Sequence, residues 1–296
     1  MRVGEGSPVG PAGFGPHYAG KIGRPVVLLA QLNAESADLG LPVLAASLIL
    51  VVIAIGFGLW LRLGITRDVV VAALRAAIQL LAVGFILATL FESSRASLAA
   101  AGWVLVMVGV ATFVIGRRVA APSRGLYFVA GAAVALSTLL SLVVVFSTGV
   151  LPVGPVAMVV MAGITIGNAM PSAVLGVKRA MAEHRSRKGE VEALLSLGMN
   201  RSQVVRFMAP GPARDALIPQ IERTKVVGLI ALPGAMTGLL LAGVDPVDAV
   251  LIQIVVMYLV LGATALCAVV TVAAVSRSAI TDYLVVAPWV TEEARN

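Results

Sequence analysis

Seven stretches of this chain are apolar for close to the ~20 residues that an α-helix needs to cross a ~30 Å hydrocarbon layer. They are residues 41–61, 69–90, 98–116, 126–145, 155–177, 226–243 and 250–275. This repetition constrains the fold more than any other feature. Soluble domains carry about 25% charged and about 45–50% apolar residues; here 59% of the 296 residues are hydrophobic and 12% charged. A soluble domain could not bury that much apolar surface. The reading is an all-α polytopic membrane protein of about seven transmembrane helices. The sixth stretch is the weakest, 18 residues containing Gly228, Pro233, Gly234 and Gly238. Such a pattern fits a broken helix or a re-entrant segment, which a membrane tolerates only where protein or a cavity covers the backbone.

The basic residues orient these spans. With Arg75 set aside inside the second stretch, alternate loops and the C-terminal tail carry seventeen Lys and Arg, and the opposite side carries four. Positive charge collects on the cytoplasmic side, so the N-terminus is expected outside and the C-terminus in the cytoplasm of a cell (plasma or inner) membrane. The same rule accounts for the net charge of +7. Nucleic acid is not an expected partner, since aromatic residues make up only 5% of the chain and provide few stacking platforms. The expected domains are a flexible Gly/Pro-rich tail (1–39), a transmembrane permease domain (40–276) and a C-terminal tail (277–296). The apolar piece 26–30 is too short for a signal-peptide core. Cys267 is the one cysteine, and His17 and His184 the two histidines, so no His/Cys zinc cluster is expected.

One connection stands apart, the cytoplasmic loop 178–225, with ten of the seventeen basic residues. Its sequence reads as helix, hinge, helix, break and re-entry helix. Residues 190–197 are good helix formers, ended by Gly198, the usual residue of a left-handed C-terminal cap. Asn200 and Gln203 have capping-box spacing ahead of Val204, Val205, Phe207 and Met208. Pro210-Gly211-Pro212 breaks the second helix, and a helical pattern resumes over 214–221 with Pro219 near its end. A compact basic element of this kind suits docking into a groove of another protein; it is equally a positive-inside loop that merely folds.

Two sets of residues resemble known proteins. Glu192-Ala193-Leu194-Leu195-Ser196-Leu197-Gly198 resembles the coupling loop of ABC-transporter permeases, with Met208-Ala209-Pro210-Gly211 departing from its usual distal part. Gly167-Asn168-Ala169-Met170, Leu195-Ser196-Leu197-Gly198, the run from Lys225 to Gly238, Ala242-Gly243-Val244-Asp245-Pro246, Gln253-Ile254 and Arg75-Ala76-Ala77-Ile78-Gln79-Leu80 are similar to the FetB-type permease family. The resemblance covers roughly residues 42–275. It implies a homodimeric permease bound to cytoplasmic ATP-binding cassette subunits, with iron export or metal resistance as the setting. Glu192, Ala193, Gly198, Asn200, Arg201 and Arg206 are then the residues that couple to the ATPase. No Gly-x-x-x-x-Gly-Lys-Ser/Thr phosphate loop occurs in the chain, so ATP and Mg would bind a separate subunit. This chain would need no cofactor and catalyse no reaction of its own.

Polar groups at membrane depth are costly and are functional candidates by default. Arg75 and Gln79 share one face of the second span, and topology places them at a depth similar to Asn168. With Lys225 at the mouth of span six, they are read as lining an inward-facing translocation cavity. Snorkelling of Arg75 and a merely structural hydrogen bond of Asn168 compete with this. Lys225 and Glu222 have the spacing of a pair. Pro171 is a candidate kink, and Pro233, Gly234 and Gly238 are candidates for gating or close packing. Met158, Met161 and Met170 mark no metal site, and no metal ligands are assigned. Two other readings share the same spans, a stand-alone secondary transporter and the membrane subunit of a stress-signalling complex.

Overall fold

The computed structural model describes residues 48–64, 66–93, 95–119 and 124–291. The Gly/Pro-rich segment 1–39, the start of the first apolar stretch and residues 292–296 lie outside the described residues. Everything described is helix, turn or isolated bridge, with no strand. The helices are α1 (Ile49–Trp60), α2 (Thr66–Glu92), α3 (Ala96–Val119), α4 (Arg124–Ser147), α5 (Pro155–Ser186), α6 (Lys188–Ser196), α7 (Arg201–Met208), α8 (Pro210–Val226), α9 (Gly234–Leu241), α10 (Pro246–Ser278) and α11 (Pro288–Thr291). Five of them, α2 to α5 and α10, are long and apolar enough to cross a membrane, and α1 is a shorter apolar helix.

The chain divides into two compact units. One comprises residues up to Ala77 with Ala235–Ala249; the other is Ile78–Gly234 with Val250–Asn296. The described part of the first unit consists of α1, the first turns of α2, and most of α9 with the start of α10.

The second unit is organised around α5, which α3, α4 and α8 pack against. Its core joins Ile115 of α3, Ala130 and Val134 of α4, Ala162, Ile166, Ala169, Ala173 and Val177 of α5, and Cys267, Val272 and Val275 of α10. Small residues allow this close approach, since helices without a hydrophobic drive between them pack through backbone proximity. A Cβ built on Gly163 would lie 3.3 Å from Met107, and one on Gly176 would lie 3.2 Å from Val272 and 3.6 Å from Ala216. By contrast, a Cβ on Gly234 or Gly238 meets nothing within 4 Å. Within the second unit, close approaches fall at Gly163 and Gly176.

The sixth stretch departs most from a simple span. Its residues are the end of α8, a turn closed by the Val227–Ala231 bridge with Gly228 at φ +85°, and the eight-residue α9. Eight residues rise only ~12 Å, far short of a crossing, so the sixth stretch is not one continuous helix, as its glycines and proline led the sequence reading to expect. Polar α8 instead runs antiparallel along α5, with Ala216 against Gly176 and Arg223 against Asn168. Both prolines read as irregularities are absorbed: α5 continues through Pro171 and α8 through Pro219.

Candidate functional site

Two places gather charged and polar side chains, and α8 runs from one to the other. The first is a helical hairpin, α6–α7, at the foot of α5. At ~1.5 Å per residue the 32 residues of α5 rise ~48 Å, well beyond a ~30 Å hydrocarbon layer, and its charged end from Lys178 onward is the part the layer does not need.

At the α5–α6 junction Arg187 reaches Glu183 Oε1 at 2.8 Å and holds both carboxylate oxygens of Glu190, at 2.6 and 2.7 Å. Those hydrogen bonds hold the Glu190 carboxyl below its usual range and raise Arg187 further. The same guanidinium lies over the Phe207 ring at 5.3 Å, tying α6 to α7.

Gly198 closes the hairpin. Its φ of +86° is left-handed, a region closed to most L-residues. The Gly198 amide donates to Leu195 O at 3.0 Å and the Met199 amide to Leu194 O at 3.1 Å, the two bonds of a Schellman cap. Two residues on, Asn200 Oδ1 accepts from the Gln203 amide at 3.0 Å while Gln203 Oε1 accepts from the Asn200 amide at 2.8 Å, the capping box read from the sequence. Glu192 and Ala193 are exposed on α6, with Glu192 3.6 Å from Lys188. Leu197 at the tip is 82% exposed. Arg206 is exposed and makes no ion pair among the described residues.

The C-terminal segment proves to be part of this hairpin's support. Val191, Val204 and Met208 share a buried cluster with Ala279, Ile280, Val286 and Val290. The segment hooks back through an Ile280–Val286 antiparallel bridge. Asp282 in its turn meets Arg201 at 2.9 Å, and the Trp289 carbonyl accepts from Arg185 at 3.4 Å. Arg201, read as facing a partner, is thus engaged within the chain. The apolar residues Ala279, Ile280, Val286 and Val290 in an otherwise mixed tail were the available signal. They escape a hydropathy reading because the segment is short. His184 is fully buried in the cytoplasmic end of α5; its Nδ1 lies 2.9 Å from Ala180 O, its Nε2 has no partner, and burial lowers its pKa.

The second place is the α5–α8 contact. Asn168 lies about ten residues, ~15 Å, inside α5 from Lys178. Its Nδ2 donates to Ile164 O at 2.7 Å, and its Oδ1 accepts from Arg223 Nη1 at 2.9 Å. Lys225, the residue the sequence put beside Asn168, instead bonds Glu222 at 2.7 Å. Arg223 was missed because it sits in a polar segment that reads as cytoplasmic loop. Arg75 and Gln79 are exposed on α2, in different units, and Gln79 makes no hydrogen bond among the described residues. No group of three or more His, Cys, Asp or Glu is arranged to hold a metal ion among the described residues.

Five apolar helices of spanning length define a multi-pass helical membrane protein. The chain belongs to the uncharacterised protein family UPF0014, which matches residues 41–280. It is 33% identical over 227 residues to "UPF0014 membrane protein STAR2" of Oryza sativa subsp. japonica, covering 75% of this chain and 77% of that one. Identity to "Protein ALUMINUM SENSITIVE 3" of Arabidopsis thaliana is 31%, over 74% of this chain and 80% of that protein. It is also 31% over 75% of this chain for "Probable iron export permease protein FetB" of Escherichia coli (strain K12), of which 85% is covered. No solved structure matches the chain.

Proposed function

We propose that this chain is the permease subunit of an ABC transporter in the cell membrane, working as a homodimer and exporting a metal ion such as iron, with ATP and Mg bound on a separate cytoplasmic subunit. The observation that carries the reading is the α6–α7 hairpin. It has a rigid Schellman tip with exposed Leu197 and exposed Glu192 and Ala193 on its outer side, a shape suited to a partner's groove. Its base is braced by α5 and the C-terminal hook. Metal as the substrate rests on the name of the E. coli relative.

The mechanism follows from connectivity. α7 ends at Met208 and α8 begins at Pro210, so a push on the tip passes to α8 with almost no slack. The far end of α8 carries Arg223 at Asn168. Closure of the ATPase would slide α8 along the small residues of α5 and rearrange that polar contact, a shear motion of packed helices.

The test is to solubilise the chain from its native membrane and identify what accompanies it. A stoichiometric nucleotide-binding subunit is expected, lost in Gly198→Pro and Glu192→Arg while the spans stay folded. An intact chain that emerges alone, or two variants that keep the partner, would overturn the docking role.

A further inference from the structure

We propose that Arg223, positioned by Asn168, forms a subsite for an oxyanion, a carboxylate or phosphate group, on the transported solute. The inference deepens the transporter reading and rests on it. It begins with charge. α8 carries two acidic residues, and both are engaged: Asp215 with Arg179 at 3.6 Å and Glu222 with Lys225 at 2.7 Å. α3 and α4 contain no acidic residue, and α10 has only Asp248, in its first turn. Arg223 therefore has no carboxylate partner among the described residues, and its one hydrogen bond goes to the neutral amide of Asn168. The α8 C-terminus offsets about half a charge, so the site stays positive.

Hydrogen-bonding capacity points the same way. Asn168 Oδ1 is taken by Arg223 and Asn168 Nδ2 by Ile164 O, while the Thr224 hydroxyl donates to Gln220 O. The charged group left to a ligand is a donor, the Nε and Nη2 edge of an exposed guanidinium. Beside it, at Gly167, a Cβ would meet nothing within 4 Å, so a ligand can approach the α5 backbone. A planar guanidinium fork matches carboxylate and phosphate oxygens, and it repels a bare metal cation. A metal passing here would be carried inside an anionic chelate.

Binding is measured on the full chain in lipid nanodiscs, without any partner, using inorganic phosphate, citrate, ferric citrate and ferrous ion as separate probes. Saturable binding of phosphate or of either citrate form is expected, weakened more than about tenfold in Arg223→Gln, as for the loss of hydrogen bonds to a charged group. Asn168→Asp is the second variant. It sets a carboxylate where Arg223 already donates, so the melting temperature is expected to rise while oxyanion binding falls by a similar factor. Ferric citrate binding more tightly than citrate would identify a chelate as the source of the oxyanion, and phosphate alone would identify a phosphate-bearing solute. Ferrous ion binding with no anion binding, or anion binding unchanged in both variants, would overturn the proposal. Absence of an ATP-binding partner from the pull-down would sink the ATP-driven reading and leave this result standing.

Discussion

Replacing Gly198 isolates the conformational demand of the hairpin tip. Gly198 sits at φ +86°, and a Cβ there would meet nothing within 4 Å. Gly198→Ala therefore adds no clash with a neighbour, and its cost is the left-handed backbone penalty alone, roughly 1–2 kcal/mol. Gly198→Pro acts further. It locks φ near −65° and deletes the amide that donates to Leu195 O at 3.0 Å; the neighbouring Met199 bond to Leu194 goes with it. Two bonds at about 1 kcal/mol each on top of the backbone misfit give more than about 3 kcal/mol. Since about 1.4 kcal/mol is a factor of ten, amide exchange across α6 and α7 should accelerate about tenfold in the alanine variant and more than a hundredfold in the proline variant. Hydrogen-exchange mass spectrometry reads both, with peptides from the α5 core as the internal reference. Unchanged exchange in the hairpin of Gly198→Ala, or an equal loss of protection in α5, would refute the claim that this turn stabilises the hairpin locally.

Three further substitutions probe the packing. Met208 is 1% exposed in the cluster shared with the C-terminal hook; Met208→Ala should cost about 2–5 kcal/mol and release the hook, seen as protease cleavage after Arg277. Asp282→Ala removes only a pair whose acid is 93% exposed, and its cost should stay below about 1 kcal/mol in thermal denaturation. Gly176→Leu would drive a side chain into Val272 and Ala216 and cost at least about 1–3 kcal/mol, separating α8 and α10 from α5; a disulfide-trapping assay between α5 and α8 would show the loss. Burial lowers the His184 pKa below its ordinary value of 6.5. Its neutral form is thus favoured by folding, and the stability it supplies is complete above that value and declines as pH falls through 6.5 toward the folded pKa. Melting temperature should drop more steeply over that window in the native chain than in His184→Gln.

Local signals were legible wherever the chain solves its own problem. The Gly198 cap and the Asn200–Gln203 box are written in residues a few positions apart, and each forms as read. The break read over Pro210–Pro212 narrows to Ala209, because a proline in the first turn needs no backbone donor and α8 starts at Pro210 rather than at Arg214. The Glu222–Lys225 pair, three residues apart on one helix, was legible for the same reason. Arg223 was not. Its partner Asn168 lies 55 residues away on another helix, and no pattern within either segment announces the pairing. The C-terminal hook escaped likewise, because what recommends residues 279–290 is the apolar underside of α6 and α7.

The membrane class, the helical content and the caps at Gly198 and Asn200 were legible in the sequence alone, since they depend on hydropathy and on backbone groups satisfied within a few residues. Only the tertiary structure decided that polar α8 packs along α5, and that the sixth stretch is broken. Hydropathy prices each segment as though it faced lipid. Whether Arg223 is tolerable beside α5 depends on the small-residue face of α5 and the amide of Asn168, and those become its surroundings only once the chain has folded.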